Sequence, residues 1–147
     1  MPQQSQVSVK KLTAMAKLPE YAHPGDSGMD IYSVKEFTLR PGERKIISTG
    51  LQLTYLPVGY EIQVRSKSGI ALKYGVTVLN SPGTIDSGYR GEIKVILINH
   101  SDILYVGKKG QKIAQLVVQA VERFTVIEDH GVVESSRGEG GFGSTGV

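Results

Sequence analysis

The chain has 147 residues, of which 39% are hydrophobic, and a formal net charge of +3, enough for one domain with its own core. It contains no cysteine, which excludes a disulfide framework, a zinc-thiolate site and a cysteine nucleophile. Its 17 basic and 14 acidic residues are interspersed, too even a mixture for a nucleic-acid footprint. No apolar run approaches the roughly 20 residues of a membrane span, and the opening MPQQSQVSVKK lacks the apolar centre of a signal peptide; a cytoplasmic protein with no membrane partner is expected.

In chain order, short apolar or alternating runs recur: VSVKKL, MDIYSV, FTLRPGE, KIISTGLQLTYL, GYEIQVRS, GVTVLN, EIKVILINH, ILYVGK, KIAQLVVQAVE and FTVIE. Turn signals at Pro24-Gly25, Pro41-Gly42, Pro57 with Gly59, and Pro82-Gly83 divide them. The spacing predicts an all-β sandwich or jelly roll. One helix is expected over SGIALKYG, with Ser68 capping its start and Gly75 ending it. The runs from Val76 to Asn80 and from Glu92 to Asn99 predict a hairpin whose tip, GTIDSGYRGEI, is longer than turning requires. Asp86 in that tip is either a turn former or a carboxylate placed for chemistry. From Ser135 to Val147 the composition, SSRGEGGFGSTGV, offers a core almost nothing but Phe142.

Three places carry groups suited to a phosphorylated ligand. In the tail, glycine backbone can approach phosphate oxygens, Arg137 can fork onto them, and Phe142 can stack on a flat ring. This is not a P-loop, because no Lys-Ser/Thr pair follows the glycines. RSKSG, residues 65–69, puts Lys67 and Ser68 where a strand passes into the helix, which suits either an anion or a plain cap. Asp30, in DSGMDIYS, is either a turn residue or a carboxylate that would suit Mg²⁺ beside phosphates. Histidines 23, 100 and 130 have no ligand spacing. The basic run KKGQK, Lys108 to Lys112, is the one local surplus of charge and suits an anionic partner or, at least as well, a solvated turn.

Taken together, SGMDI, RSKSG, NSPGTIDSGYRGEI, GQKIAQLV and RGEGGFGSTG resemble, in order, the five motifs of the trimeric deoxyuridine triphosphate diphosphatase (dUTPase) family. They extend from about Ser27 to Gly146. The resemblance implies hydrolysis of dUTP to dUMP and pyrophosphate, which keeps uracil out of DNA and supplies dUMP for thymidylate synthesis. It implies Asp86 as general base for a water attacking the α-phosphorus. Asn80 and the backbone of Gly83, Thr84 and Ile85 would read uracil, and Tyr89 would lie against the deoxyribose. Lys67, Ser68, Gly69 and Gln115 would contact phosphates, Arg137 would clamp them, and Phe142 beside Gly143 would stack on the base. Lys94 matches a substrate-lining position, and Asp30 would hold Mg²⁺ through water. Lys67 departs from the arginine usual in the family, keeping the charge but losing the bidentate fork. The implied architecture is a distorted jelly-roll homotrimer with one short helix and exchanged C-terminal arms: residues 1–134 form the body, and residues 135–147 close a neighbour's site.

Two rivals remain. A deoxycytidine triphosphate deaminase of the same fold would need an acid at the pyrimidine ring, for which Glu92 is the nearest candidate. A catalytically silent β-barrel or jelly-roll module that recognises nucleotides or single strands would be favoured by aromatic stacking platforms, and the chain holds seven Tyr, three Phe and no Trp.

Overall fold

The computed structural model describes residues 5–146; residues 1–4 of the expected body and Val147 of the expected arm lie outside that range. In chain order the elements are β1 (Ser8–Lys11), β2 (Glu20–Tyr21), β3 (Met29–Tyr32), β4 (Phe37–Leu39), β5 (Arg44–Tyr55), β6 (Tyr60–Arg65), α1 (Ser68–Tyr74), β7 (Val76–Val78), β8 (Gly83–Asp86), β9 (Glu92–Asn99), β10 (Tyr105–Gly107) and β11 (Lys112–Ala120). Every pairing between strands is antiparallel. Two sheets, ordered β1-β5-β9-β7 and β2-β3-β11-β6-β8, are accompanied by the small pair β10-β4.

Period-2 alternation sets which face each strand buries. In β9, Ile93, Val95 and Leu97 point inward while Lys94 is exposed. In β6, Ile62 and Val64 are buried between half-exposed neighbours. The core joins these side chains to Leu51 and Leu53 of β5, Ile31 of β3 and Ile113 and Leu116 of β11, so the two larger sheets form a sandwich around one apolar cluster. Each such side chain removed from water contributes about 1.5–3 kcal/mol. The buried Asn99 is fully satisfied: its Nδ2 donates to the Leu39 and Ile103 carbonyls at 3.0 and 2.8 Å, and its Oδ1 accepts from the Ser101 amide at 2.9 Å.

The expected hairpin forms, with Val76 opposite Asn99 and Val78 opposite Leu97. Its long tip is more than a turn. Residues 83–86 make a strand, β8, that leaves the β7-β9 sheet and pairs with β6 in the other one, Gly83 opposite Val64 and Asp86 opposite Glu61. The tip therefore spans both sheets, and this fixes where Asp86 stands.

Two local expectations are corrected. The helix is capped by Lys67, which has extended backbone angles, while Ser68 is its first helical residue; the cap carries no side-chain hydrogen bond. Gly75 does end it, with φ 66, the left-handed conformation glycine adopts freely. FTVIE forms no strand: beyond Ala120, residues 121–146 contain neither strand nor helix. Phe124, Val126 and Ile127 are exposed, and β propensity without a partner strand forms no ladder.

Candidate active site

Three central strands bring the first group together. Gln115 of β11 lies opposite Asp30 of β3 on one side and Arg65 of β6 on the other, so one cross-strand row spans the sheet. Asp30 is buried, only 4% exposed, yet charged groups meet it from two directions. Lys67, just before α1, pairs with its Oδ1, and Lys112 Nζ lies 2.8 Å from its Oδ2. Burial pushes the Asp30 carboxyl up, but the hydrogen bonds and charges of Lys112 and Lys67 outweigh it and hold the group below its ordinary value. The same hydrogen bond raises Lys112.

Gln115 is oriented by its surroundings. Its Nε2 donates to the Ser66 carbonyl at 2.9 Å. A Cβ at Gly28 would come within 2.9 Å of Gln115 Cδ and closer still to Oε1, so the amide occupies the space glycine leaves. Asp26, Gly28, Asp30, Lys67 and Gln115 share a cavity of about 310 Å³. Ser68 and Gly69 follow Lys67 in the exposed first turn of α1, with open space beside Gly69. Arg65, which stands near Lys67 in sequence, has committed its fork: Nε and Nη2 donate to Gln63 Oε1 at 3.0 and 2.7 Å.

The second group is built on the β8–β9 connection. The Tyr89 amide donates to the Asp86 carbonyl at 3.1 Å, a four-residue turn that accounts for the three-position spacing of acid and aromatic. Tyr89 Oη donates to the Glu92 carbonyl at 2.9 Å, laying the ring over Gly91, where a Cβ would fall 2.6 Å from Tyr89 Cζ. Asp86 is exposed, and among the described residues no side chain donates to its carboxylate. Thr84, Ile85, Asp86, Tyr89 and Lys94 line a cavity of about 260 Å³. The Asn80 amide rests against Gly83: a Cβ there would be 3.3 Å from Nδ2.

Glu92, the acid a deaminase would use, is occupied at the β5–β9 seam. Its Oε1 accepts from the Gly50 amide at 3.0 Å, and its Oε2 lies 3.4 Å from Ser48 Oγ and 3.5 Å from Lys94 Nζ. These contacts give Glu92 a structural place at the seam, which weighs against the deaminase reading.

Within one chain the two groups stay apart. Asp86 faces Glu61 at the start of β6, whereas Gln115 faces Arg65 at its end. Four residues of extended strand put about 13 Å between them. The tail joins neither group. Arg137 Nε donates to the Gly140 carbonyl at 2.9 Å, Gly143 lies in the following turn, and the Phe142 ring is fully exposed.

Sequence reasoning missed Gly28, Ser66 and Lys112, although all three lie inside the quoted motifs. Their roles come from contacts across 49 to 87 positions of chain, for which local spacing carries no signal. The turn expected in KKGQK exists, with the Gln111 amide donating to the Lys108 carbonyl at 3.1 Å, but Lys112 opens β11 and faces Asp30.

Known proteins resemble this chain over almost all its length. The family model for dUTPase matches residues 14–146. A deoxyuridine 5'-triphosphate nucleotidohydrolase of Clostridium kluyveri is 52% identical over 139 residues, covering 95% of this chain and 96% of that protein. Among solved structures, a mutant dUTPase of Staphylococcus bacteriophage 80alpha with dUpNHpp superposes with a TM-score of 0.87 at 29% identity, covering 98% of this chain and 100% of that one. A mutant dUTPase from phage phi11 of S. aureus, described as revealing the coordination of a structural Mg(II) ion, has the same fold, with a TM-score of 0.78 at 24% identity over 88% of this chain and 99% of that one. A sandwich that carries five motifs in order, an exposed carboxylate on a bridging hairpin and a match to the family model over residues 14–146 leads to one assignment: the chain belongs to the dUTPase family.

Proposed function

We propose that the protein hydrolyses deoxyuridine triphosphate to deoxyuridine monophosphate and pyrophosphate, with Asp86 as the general base. The observation that carries this reading is the Asp86 turn, whose backbone is held by the Tyr89 amide and whose exposed carboxylate is open to a water. That water's oxygen bonds to the α-phosphorus as the bond from phosphorus to the αβ-bridging oxygen breaks. The electron pair leaves with pyrophosphate, and the water's proton passes to Asp86. Phosphoryl transfer depends on orienting the nucleophile and stabilising charge, which a carboxylate on a hydrogen-bonded turn and a lysine-lined phosphate pocket can supply.

Asn80 and the Gly83–Ile85 backbone read the uracil edge in this account, and Tyr89 closes the sugar side. A ribose 2′-hydroxyl pressed there without a partner would cost roughly 1–3 kcal/mol. Lys67, Ser68, Gly69, Gln115 and Arg137 hold the phosphates, Lys94 lines the substrate cavity, and Phe142 with Gly143 covers the base. The donor set fits Mg²⁺ only in a water-mediated role: no cluster of three or more acidic or histidine ligands occurs among the described residues. The Asp30 carboxylate has about four lone-pair positions, and the two lysines leave room for a water. When bound with the triphosphate, Mg²⁺ would offset its charge. Asp30 would hold it through water, and Lys112 would keep Asp30 charged and in place.

The chain is expected to act as a cytoplasmic homotrimer, a distorted jelly roll with exchanged arms. Three features support this. Asp86 and the phosphate-binding residues stand apart in one chain; the Phe142 ring is fully exposed; and Phe124, Val126, Ile127, Val132 and Val133 are exposed after the Val121 amide makes its 2.8 Å bond to Gly59. Each site would combine one chain's hairpin, a second chain's phosphate residues and a third chain's residues 135–147.

Incubation with deoxyuridine triphosphate and Mg²⁺ in ¹⁸O-labelled water tests the reaction. Pyrophosphate release with label in the monophosphate is expected. Label in pyrophosphate would place the attack on the β-phosphorus, and ammonia release from deoxycytidine triphosphate would favour the deaminase.

A further inference from the structure

Ser66 connects the two separated groups within each chain. β7 is the edge strand of its sheet, with β9 on one side. The Leu79 amide donates to the Ile96 carbonyl at 2.9 Å, so by strand alternation the preceding amide, Val78 N–H, points away from β9 to the open edge. There the Ser66 hydroxyl accepts it at 2.9 Å. The Ser66 carbonyl, at the other end of the same residue, accepts Gln115 Nε2 at 2.9 Å, and Gly28 leaves the space in which Gln115 sits. Ser66 thus touches the phosphate side through its carbonyl. Through its hydroxyl it holds a strand that reaches Asn80 two residues later.

We propose that Ser66 is a positioning residue that ties the phosphate-binding residues of a chain to the pyrimidine-reading turn of the same chain, so that filling one side orders the other. This rests on the reading of Lys67, Ser68 and Gln115 as phosphate contacts and of Asn80 to Ile85 as the base reader. In a trimer with shared sites, the two sides serve neighbouring sites, and the link runs between them. Anchoring Gln115 and Lys67 on phosphate fixes Ser66. A fixed Ser66 holds the Val78 amide and lowers the ordering cost of the turn beyond it. Coupling of this kind is reciprocal, and one net hydrogen bond corresponds to about a two- to tenfold change in affinity.

The test uses the full chain with two partial ligands, inorganic pyrophosphate and deoxyuridine. In the wild type, saturating pyrophosphate should tighten deoxyuridine binding by about two- to tenfold. Ser66→Ala should remove that gain, and Ser66→Thr, which keeps an acceptor hydroxyl, should retain it. A loss of packing alone would weaken deoxyuridine equally with and without pyrophosphate. A readout needing no variant is hydrogen exchange of the Val78 amide, which pyrophosphate alone should slow. Deoxyuridine affinity indifferent to pyrophosphate, a gain that survives Ser66→Ala, or unchanged Val78 exchange would each overturn the proposal. Wild-type hydrolysis of deoxyuridine triphosphate is measured first: an active enzyme without coupling overturns this inference alone, whereas an inactive one overturns the function on which it rests and the inference with it.

Discussion

Gly28→Ala should damage substrate binding while leaving the fold almost untouched. The new methyl would meet Gln115 Cδ at 2.9 Å and Oε1 closer still, so the amide must swing out of its seat. The obstructed group is the end of a flexible side chain, which yields more cheaply than backbone. Global stability should therefore fall by less than about 1 kcal/mol, within the range of one exchanged hydrogen bond. What goes with the displacement is the 2.9 Å bond to Ser66 and the aim of Gln115 into the Asp30 and Lys67 cavity. At about 0.5–1.5 kcal/mol for that bond, the Michaelis constant for deoxyuridine triphosphate should rise roughly two- to tenfold. The decisive assay is a double-mutant cycle with steady-state kinetics and urea unfolding. Gly28→Ala and Gln115→Ala should each raise the constant to a similar degree, and the double variant should be no worse than either, because both remove one interaction. Fully additive effects would show that Gly28 does not act through Gln115. A large loss of stability in Gly28→Ala would show that the backbone, not the amide, gives way.

Asp86→Asn should fold and bind nucleotide normally, while hydrolysis falls by about 10²–10⁴, the usual contribution of a general base; near-normal turnover would move the base elsewhere. Lys67→Arg should preserve or improve phosphate binding, whereas Lys67→Ala should raise the Michaelis constant, since Arg65 has its fork on Gln63 and cannot replace the lost charge without breaking those bonds. Asp30 titrates below its unfolded value, so its pairing with Lys112 and Lys67 stabilises the protein fully above the ordinary value of 3.8 and is lost as pH falls through the lower folded value. In metal-free buffer, the stability gap between wild type and Asp30→Asn should accordingly close as pH is lowered past 3.8; a gap independent of pH would show that the carboxylate's charge does not matter.

The strands that pair with near neighbours were the readable part of the fold. EIKVILIN shows its inward Ile93, Val95 and Leu97 in the alternation itself, and its pairing with VTV follows from adjacency. β8 was hidden because GTID is four residues long and led by glycine, and its partner β6 lies in the other sheet. FTVIE misled for the opposite reason: its composition suits a strand, but the described residues supply no neighbour. The Ser68 assignment failed by one residue because residue type suggests a cap, while the extended angles of Lys67 decide where the helix begins. The hairpin acid and its aromatic were legible as a spaced pair because one turn makes the spacing. The Lys112 to Asp30 pair, the seating of Gln115 by Gly28 and the bond from Val78 to Ser66 join separate elements or the segments beside them, and no local pattern encodes them.

The sharing of one site among three chains is tested most directly by mixing two inactive variants. Asp86→Asn has a disabled hairpin and an intact tail; a chain ending at Glu134 has the reverse. Each alone should fold and be nearly inactive, because Asp86 lies at an exposed turn and the tail contributes nothing to the core. Refolded together in equal amounts, they should form mixed trimers in which some sites receive a live hairpin from one chain and a live tail from another. Random assortment around a closed three-fold ring gives roughly a quarter of wild-type activity. If mixed trimers are confirmed by mass and the mixture stays as inactive as its parents, hairpin and tail of a single chain must meet in one site, and the shared-site account is wrong.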